Sequence, residues 1–243
     1  MVDRESNGIL KRLVSQWDHL KAEIERLQSA AEVRPGDGYQ VFQPVDSEAE
    51  GVAAFEIQPS VFNLPERAND VSMDLFVVVE GRISFRRREF AEENVLATHS
   101  FATKVAYFRH RSTSLVHVYG AHYDFSLDEL GHPVFHAEMR GYPELAEYVK
   151  ECYGVGNAVD DRVTGLLKNV RVPTAQMDVF SVFVQLCADH LLYTDSGPEE
   201  KAAFNSLLQR SAFCKGAAYQ MPHLQTEEAR TCYRSRHWYT AIA

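Results

Sequence analysis

The segment LFVVVEGRISFRRR, residues 75–88, decides the fold class. Leu75–Val79 is a run of bulky and β-branched apolar residues, the composition of a buried strand. Glu80-Gly81 then reads as a tight turn and Arg82–Arg88 as the returning strand. Along that second strand, alternation puts Arg82, Ser84, Arg86 and Arg88 on one face and Ile83 and Phe85 on the other. Working outward, Val95–His99, Thr103–Arg109, Leu115–Phe125 and Pro133–Met139 carry the same signals. The connections between them are too short for parallel crossovers, so the expected order is an antiparallel meander.

Upstream of this block, residues 39–69 are punctuated by Pro44, Pro59 and Pro65, with an edge strand expected near Val52–Ile57. Farther back, residues 3–30 read as a helix that Ser6 or Asp3 caps. Leu10, Leu13, Trp17, Leu20, Ile24 and Leu27 recur at steps of three and four, a heptad-like seam. Such a seam either packs on its own domain or serves self-association or docking through residues 10–27. Downstream of Gly141 the pattern turns helical. Pro143–Cys152 is amphipathic, and Gly154, Gly156 and Asp160-Asp161 mark a loop. Thr174 is placed to cap a long apolar helix through Leu192, with Asp178, Gln185 and Asp189 as its solvent stripe. Pro198 opens another helix through Phe213.

The expected fold is therefore α+β. It has an N-terminal helix (1–33) and a single domain (39–243) holding a meander of about five or six strands over about 39–140. Helices over about 143–215 pack on one face of the sheet, and a tail covers 216–243.

Composition narrows the function classes. The 243 residues carry a net charge of −9, which argues against a general nucleic-acid coat or a membrane-surface binder. No apolar run approaches the ~20 residues needed to span a bilayer. The polar start of the chain does not read as an export signal, so a cytoplasmic location is expected. Cys152, Cys187, Cys214 and Cys232 are scattered, without a metal or disulfide framework, and read as reduced thiols. No Gly-rich phosphate loop, nucleophile elbow or zincin helix is present.

One segment stands out chemically: HVYGAHYDFSLDELGHPVFHAE, from His117 to Glu138. Matching apolar to apolar residues across this hairpin, centred on Leu130, places Phe125 opposite Phe135 and Tyr123 opposite Ala137. Asp124 then falls opposite His136, and His122 opposite Glu138, with paired Cβ atoms ~5 Å apart. Two imidazoles and two carboxylates on one patch suit general acid–base chemistry or a divalent metal, which the patch permits without requiring. They equally suit plain cross-strand stabilisation of a solvated face. His117 falls in parity with Tyr119 and Ala121 and reads as a hydrogen-bonded core histidine. His132 lies in the hairpin loop, where it either reaches the patch or caps a turn. Gly120 is expected either to leave open space beside the patch or to mark a bulge in the strand.

The chain from Arg82 to Arg111 is locally basic. Arg82, Arg86, Arg88 and Arg109 on the same face as the histidines would make a platform for phosphate, which guanidinium groups grip with paired donors. The alternative is a solvated face with internal ion pairs. Two functional expectations follow. One is a phosphodiester or nucleotide hydrolase, nuclease-like, using His122, Asp124, His136 and Glu138 on a phosphate-bearing ligand or nucleic acid. The other is a non-catalytic interaction module of a larger assembly, forming a homodimer or docking a protein partner through the N-terminal helix.

Overall fold

A computed structural model describes residues 3–65, 74–125, 133–156, 158–161, 171–193 and 195–221. The fold is α+β, with an N-terminal helix, a nine-stranded sheet and C-terminal helices. Helix α1 spans Arg4–Leu27, and its first turn is closed by Asp3, whose carboxylate accepts from the Ser6 amide at 2.8 Å. β1 (Glu32–Arg34), the short α2 (Gly38–Val41) and β2 (Phe42–Val45) follow. The long strands are β3 (Val52–Pro65), β4 (Asp74–Arg86), β5 (Thr98–Arg111) and β6 (Ser114–Phe125), with α3 (Arg87–Glu93) between β4 and β5. β7 (Phe135–Met139), α4 (Ala146–Tyr153), β8 (Ala158–Asp161), β9 (Arg171–Pro173), α5 (Val179–His190) and α6 (Pro198–Ser211) complete the order.

The sheet runs β1-β3-β4-β5-β6-β7-β9, with β2 paired to β3 and β8 paired to β6. All pairings are antiparallel except β6 with β8. The chain reaches β8 only after β7 and α4, a crossover long enough to bring a strand back in parallel, where the glycines had suggested a loop.

Several boundaries differ from the sequence expectation for physical reasons. Glu80-Gly81 is no turn: β4 runs straight through it as one 13-residue strand. Gly81 is required instead by close approach, because a Cβ there would collide with the Ala102 carbonyl oxygen on β5. The Val52–Ile57 strand is not at an edge, since β3 lies between β4 and the β1 and β2 strands. It accommodates Pro59 through a bulge, with Gln58 and Pro59 both opposing Glu80. That position needs no ladder N–H from proline. The cap of α5 is Asp178, which is 3% exposed and accepts from the Phe180 and Ser181 amides. It is therefore neither solvent stripe nor neighbour of a capping Thr174. Burial pushes the Asp178 carboxyl pKa up, against the hydrogen bonds that hold it charged.

Alternation along β4 divides the molecule. Leu75, Val77, Val79, Ile83 and Phe85 join the main core, which α1, α5 and α6 cover. Here Trp17 meets Phe183 edge-on at 5.1 Å and Phe42 at 5.9 Å. Leu13, Trp17, Leu20, Ile24 and Leu27 are all buried in this core, so the heptad-like seam packs on its own chain. Glu23, on the same helix, accepts from Ser206 of α6 at 2.7 Å. On the opposite face Phe76, Val78, Ala106 and Phe108 form a second, smaller core under α4. Among the described residues, that face is covered only in part. Among the described residues, no helix is long and apolar enough to cross a membrane.

Candidate functional site

The uncovered part of the second face is polar, and the strand registers fix what it displays. The rows pair Glu80 with Lys104, then His122, then Glu138 across β4, β5, β6 and β7. The next row pairs Glu56 with Arg82, Ala102, Asp124 and His136. Ser84 and Ser100 make the row after that. The hairpin register follows the parity argument residue for residue, with Phe125 opposite Phe135 and Tyr123 opposite Ala137. The turn around Leu130, and with it His132, lies outside the described residues.

The four polar residues of the hairpin share this face but divide into two environments. His136 is 2% exposed, and its Nδ1 lies 2.9 Å from Asp124 Oδ1. It is held inside the sheet by Asp124 and presents no atom to a ligand. His122 is only partly buried, and among the described residues it has no hydrogen-bond partner. Burial lowers its pKa, with Lys104 and His136 acting in the same sense and Asp124 and Glu138 opposing. An imidazole shifted this way is neutral at neutral pH and able to take a proton. Among the described residues, no three His, Cys, Asp or Glu side chains gather into a metal-holding group.

His122 opens on a cavity of about 310 Å³ lined also by Glu56, Gln58, Glu80, Arg82, Lys104 and Tyr148. Lys104 Nζ is held by Glu80 at 2.8 Å. Arg82 is different. Its Nη2 donates to the Asp46 carbonyl at 2.8 Å, and among the described residues it forms no ion pair. An exposed guanidinium steadied by one backbone carbonyl keeps most of its donors for a ligand.

The chain matches no protein-family model, no curated protein and no solved structure. The reading of the site therefore rests on its own geometry.

The arginines do not act as one platform. Arg86 lies on the same face at the end of β4, but its Nη2 donates to Gln220 at 2.9 Å. Arg88 sits on α3 and pairs with Glu92 at 3.1 Å, a surface ion pair. The run of charged residues from Arg87 to Glu93 has turned helical, so strand alternation never reaches Arg88. Arg109 pairs in register with Leu75, on the face of the main core, opposite to His122.

Two further expectations need correction. His117 is fully buried and bonded through Nδ1 to Asp161 at 3.0 Å, the hydrogen-bonded core histidine that was expected. It nevertheless lies on the second face, stacked on Phe108 at 4.9 Å. A bulge explains this: Tyr107 pairs with Tyr119 and Phe108 with His117, so Val118 is extra and reverses the parity. Gly120 leaves no open space, because the Arg140 backbone fills it and donates to the Gly120 carbonyl at 3.0 Å.

Sequence reasoning passed over Glu56, Gln58 and Tyr148. Glu56 shares a strand face with no recognised motif, and Tyr148 arrives from α4, which no local pattern connects to the sheet.

Proposed function

We propose that the protein binds and acts on a small phosphate-bearing molecule in the cleft between Arg82 and His122. The observation carrying this reading is that His122, whose pKa burial lowers, and Arg82, which forms no ion pair among the described residues, line one cavity. Arg82 supplies paired donors to phosphate oxygens. Lys104 adds positive charge nearby while Glu80 holds its ammonium in place. His122 takes the proton of an attacking water, and the resulting imidazolium returns it to the departing oxygen. The Asp124–His136 pair beneath acts only by position, setting the field around His122.

The size of the cavity favours a small molecule, since about 310 Å³ sits at the lower end of ligand-pocket volumes. Glu56 and Glu80 on the same walls make a long polyanion a poor fit, which favours a small phosphoester over a nucleic-acid strand.

The test is hydrolysis of p-nitrophenyl phosphate and bis(p-nitrophenyl) phosphate. His122→Gln is expected to lower kcat by about 10²–10⁴-fold. Arg82→Ala is expected to raise KM, and the rate should hold down to about pH 6.5 and fall as pH drops through the lowered pKa of His122. Unchanged turnover in His122→Gln would remove the catalytic assignment. Failure of either ester or of inorganic phosphate to bind would remove the phosphate as well.

A further inference from the structure

The cleft does not end at Arg82. On its far side the guanidinium also lines a second cavity of about 260 Å³, walled by Ser84, His99, Ser100 and Glu48. The Ser84–Ser100 row is the next same-face row along β4 and β5 after Arg82–Ala102, a step of ~7 Å. Arg82 thus stands between two neighbouring cavities, here called lobes, on the part of the face that α4 does not cover.

The second lobe differs chemically from the first. The buried Ser84 hydroxyl accepts from the Ser100 amide at 3.1 Å and lies 2.7 Å from the Ser100 hydroxyl, which keeps donor and acceptor capacity of its own. His99 is the surplus residue of a bulge, since Ser84 pairs with Ser100 but Phe85 with Thr98. A bulge re-aims a side chain, and here His99 joins the same wall as Ser100. Its Nδ1 is buried and has no hydrogen-bond partner among the described residues. Burial and the neighbouring Arg86 lower its pKa, which keeps it an uncharged donor and acceptor. Exposed Glu48 adds a carboxylate, an acceptor for hydroxyl groups. Among the described residues that line this lobe, Arg82 is the one cation and His99 the one ring, so neither a second phosphate nor a stacked base suits it.

We infer that the ligand is a phosphodiester whose phosphate sits at Arg82 and whose second ester carries a sugar or polyol held by Ser100, His99 and Glu48, with Ser84 orienting the Ser100 hydroxyl. This inference rests on the assignment of phosphate to Arg82 and adds the class of ester.

The experiment is calorimetric titration with dimethyl phosphate, a diester without hydroxyls, and with glycerophosphoglycerol, a diester bearing glycerol on both sides. Glycerophosphoglycerol is expected to bind about tenfold more tightly, the scale of one or two added hydrogen bonds. His99→Gln and Ser100→Ala should each remove most of that gain and leave dimethyl phosphate unaffected, with Ser84→Ala as an independent second variant. Arg82→Ala should weaken both ligands. Equal affinity for the two diesters, or a preference that survives all three second-lobe variants, overturns the polyol lobe while leaving the phosphate at Arg82 intact. Binding of neither diester defeats both assignments.

Discussion

His122 and His136 belong to neighbouring strands and one sheet face, yet their surroundings give them opposite tasks. His136 is sealed against Asp124, whereas His122 looks into the cleft with its pKa lowered by burial. His99, in the second lobe, is shifted the same way. The two lowered values have a consequence for stability. In the unfolded chain both imidazoles titrate near 6.5. Between that value and the lower folded values, the unfolded state binds more protons, so stability rises with pH. Their contribution is complete above about pH 6.5 and is lost as pH falls through the folded values. The thermal midpoint is therefore expected to fall between about pH 7.5 and pH 5.5, and to fall less in a His99→Gln/His122→Gln double variant. Equal falls in both proteins would show that neither imidazole carries the effect.

Among the elements, the strands repay comparison with what the sequence announced. The β6–β7 hairpin was legible because its apolar residues admit only one parity, and a slip by one would bury His122 and Asp124 in the main core. The bulges were not legible. Nothing local in Gln58-Pro59, His99 or Val118 says that a strand carries one residue too many. Parity arguments fail wherever they cross such a point, as the face of His117 shows. The depth of His136 was equally hidden, since its outer neighbour is the three-residue β9, which places Pro173 beside it. Gly81 misled for another reason. A Glu-Gly pair suits a turn, but here the glycine serves the close contact of β4 with β5. Gly81→Ala is accordingly expected to destabilise the fold by about 1–3 kcal/mol, the usual consequence of forcing a carbon into packed space. Urea denaturation measures this, and a loss within experimental error would mean that the β5 backbone yields freely.

At the level of the whole molecule, α1 is the element whose role the sequence left open. Its seam serves the interior: Trp17 contacts Phe42, Phe62 and Phe183, linking the helix to β2, β3 and α5. Trp17→Ala is expected to remove about 3–5 kcal/mol of stability, the range for deleting a large buried aromatic. Circular dichroism with denaturant titration is the measurement, with light scattering alongside. A stable fold with a changed oligomeric mass would instead assign the seam to association between chains. The α+β class, the meander and the helices after Gly141 were all readable, because each rests on periodicity over many residues. The two-lobed cleft was not, since it depends on which part of one sheet face α4 leaves bare.

The part of the sheet that α4 does not cover has one last consequence. Residues of β4 alternate between the helix-covered interior and the cleft, so the floor of the cleft is also the roof of the main core. Its backbone is pinned by ladders on both sides and by Trp17's neighbours from behind. A guest arriving there meets a surface already set in shape, where only side-chain tips such as those of Arg82 and Lys104 have room to adjust. Recognition built on a rigid scaffold of this kind discriminates by fit and loses little entropy on closure.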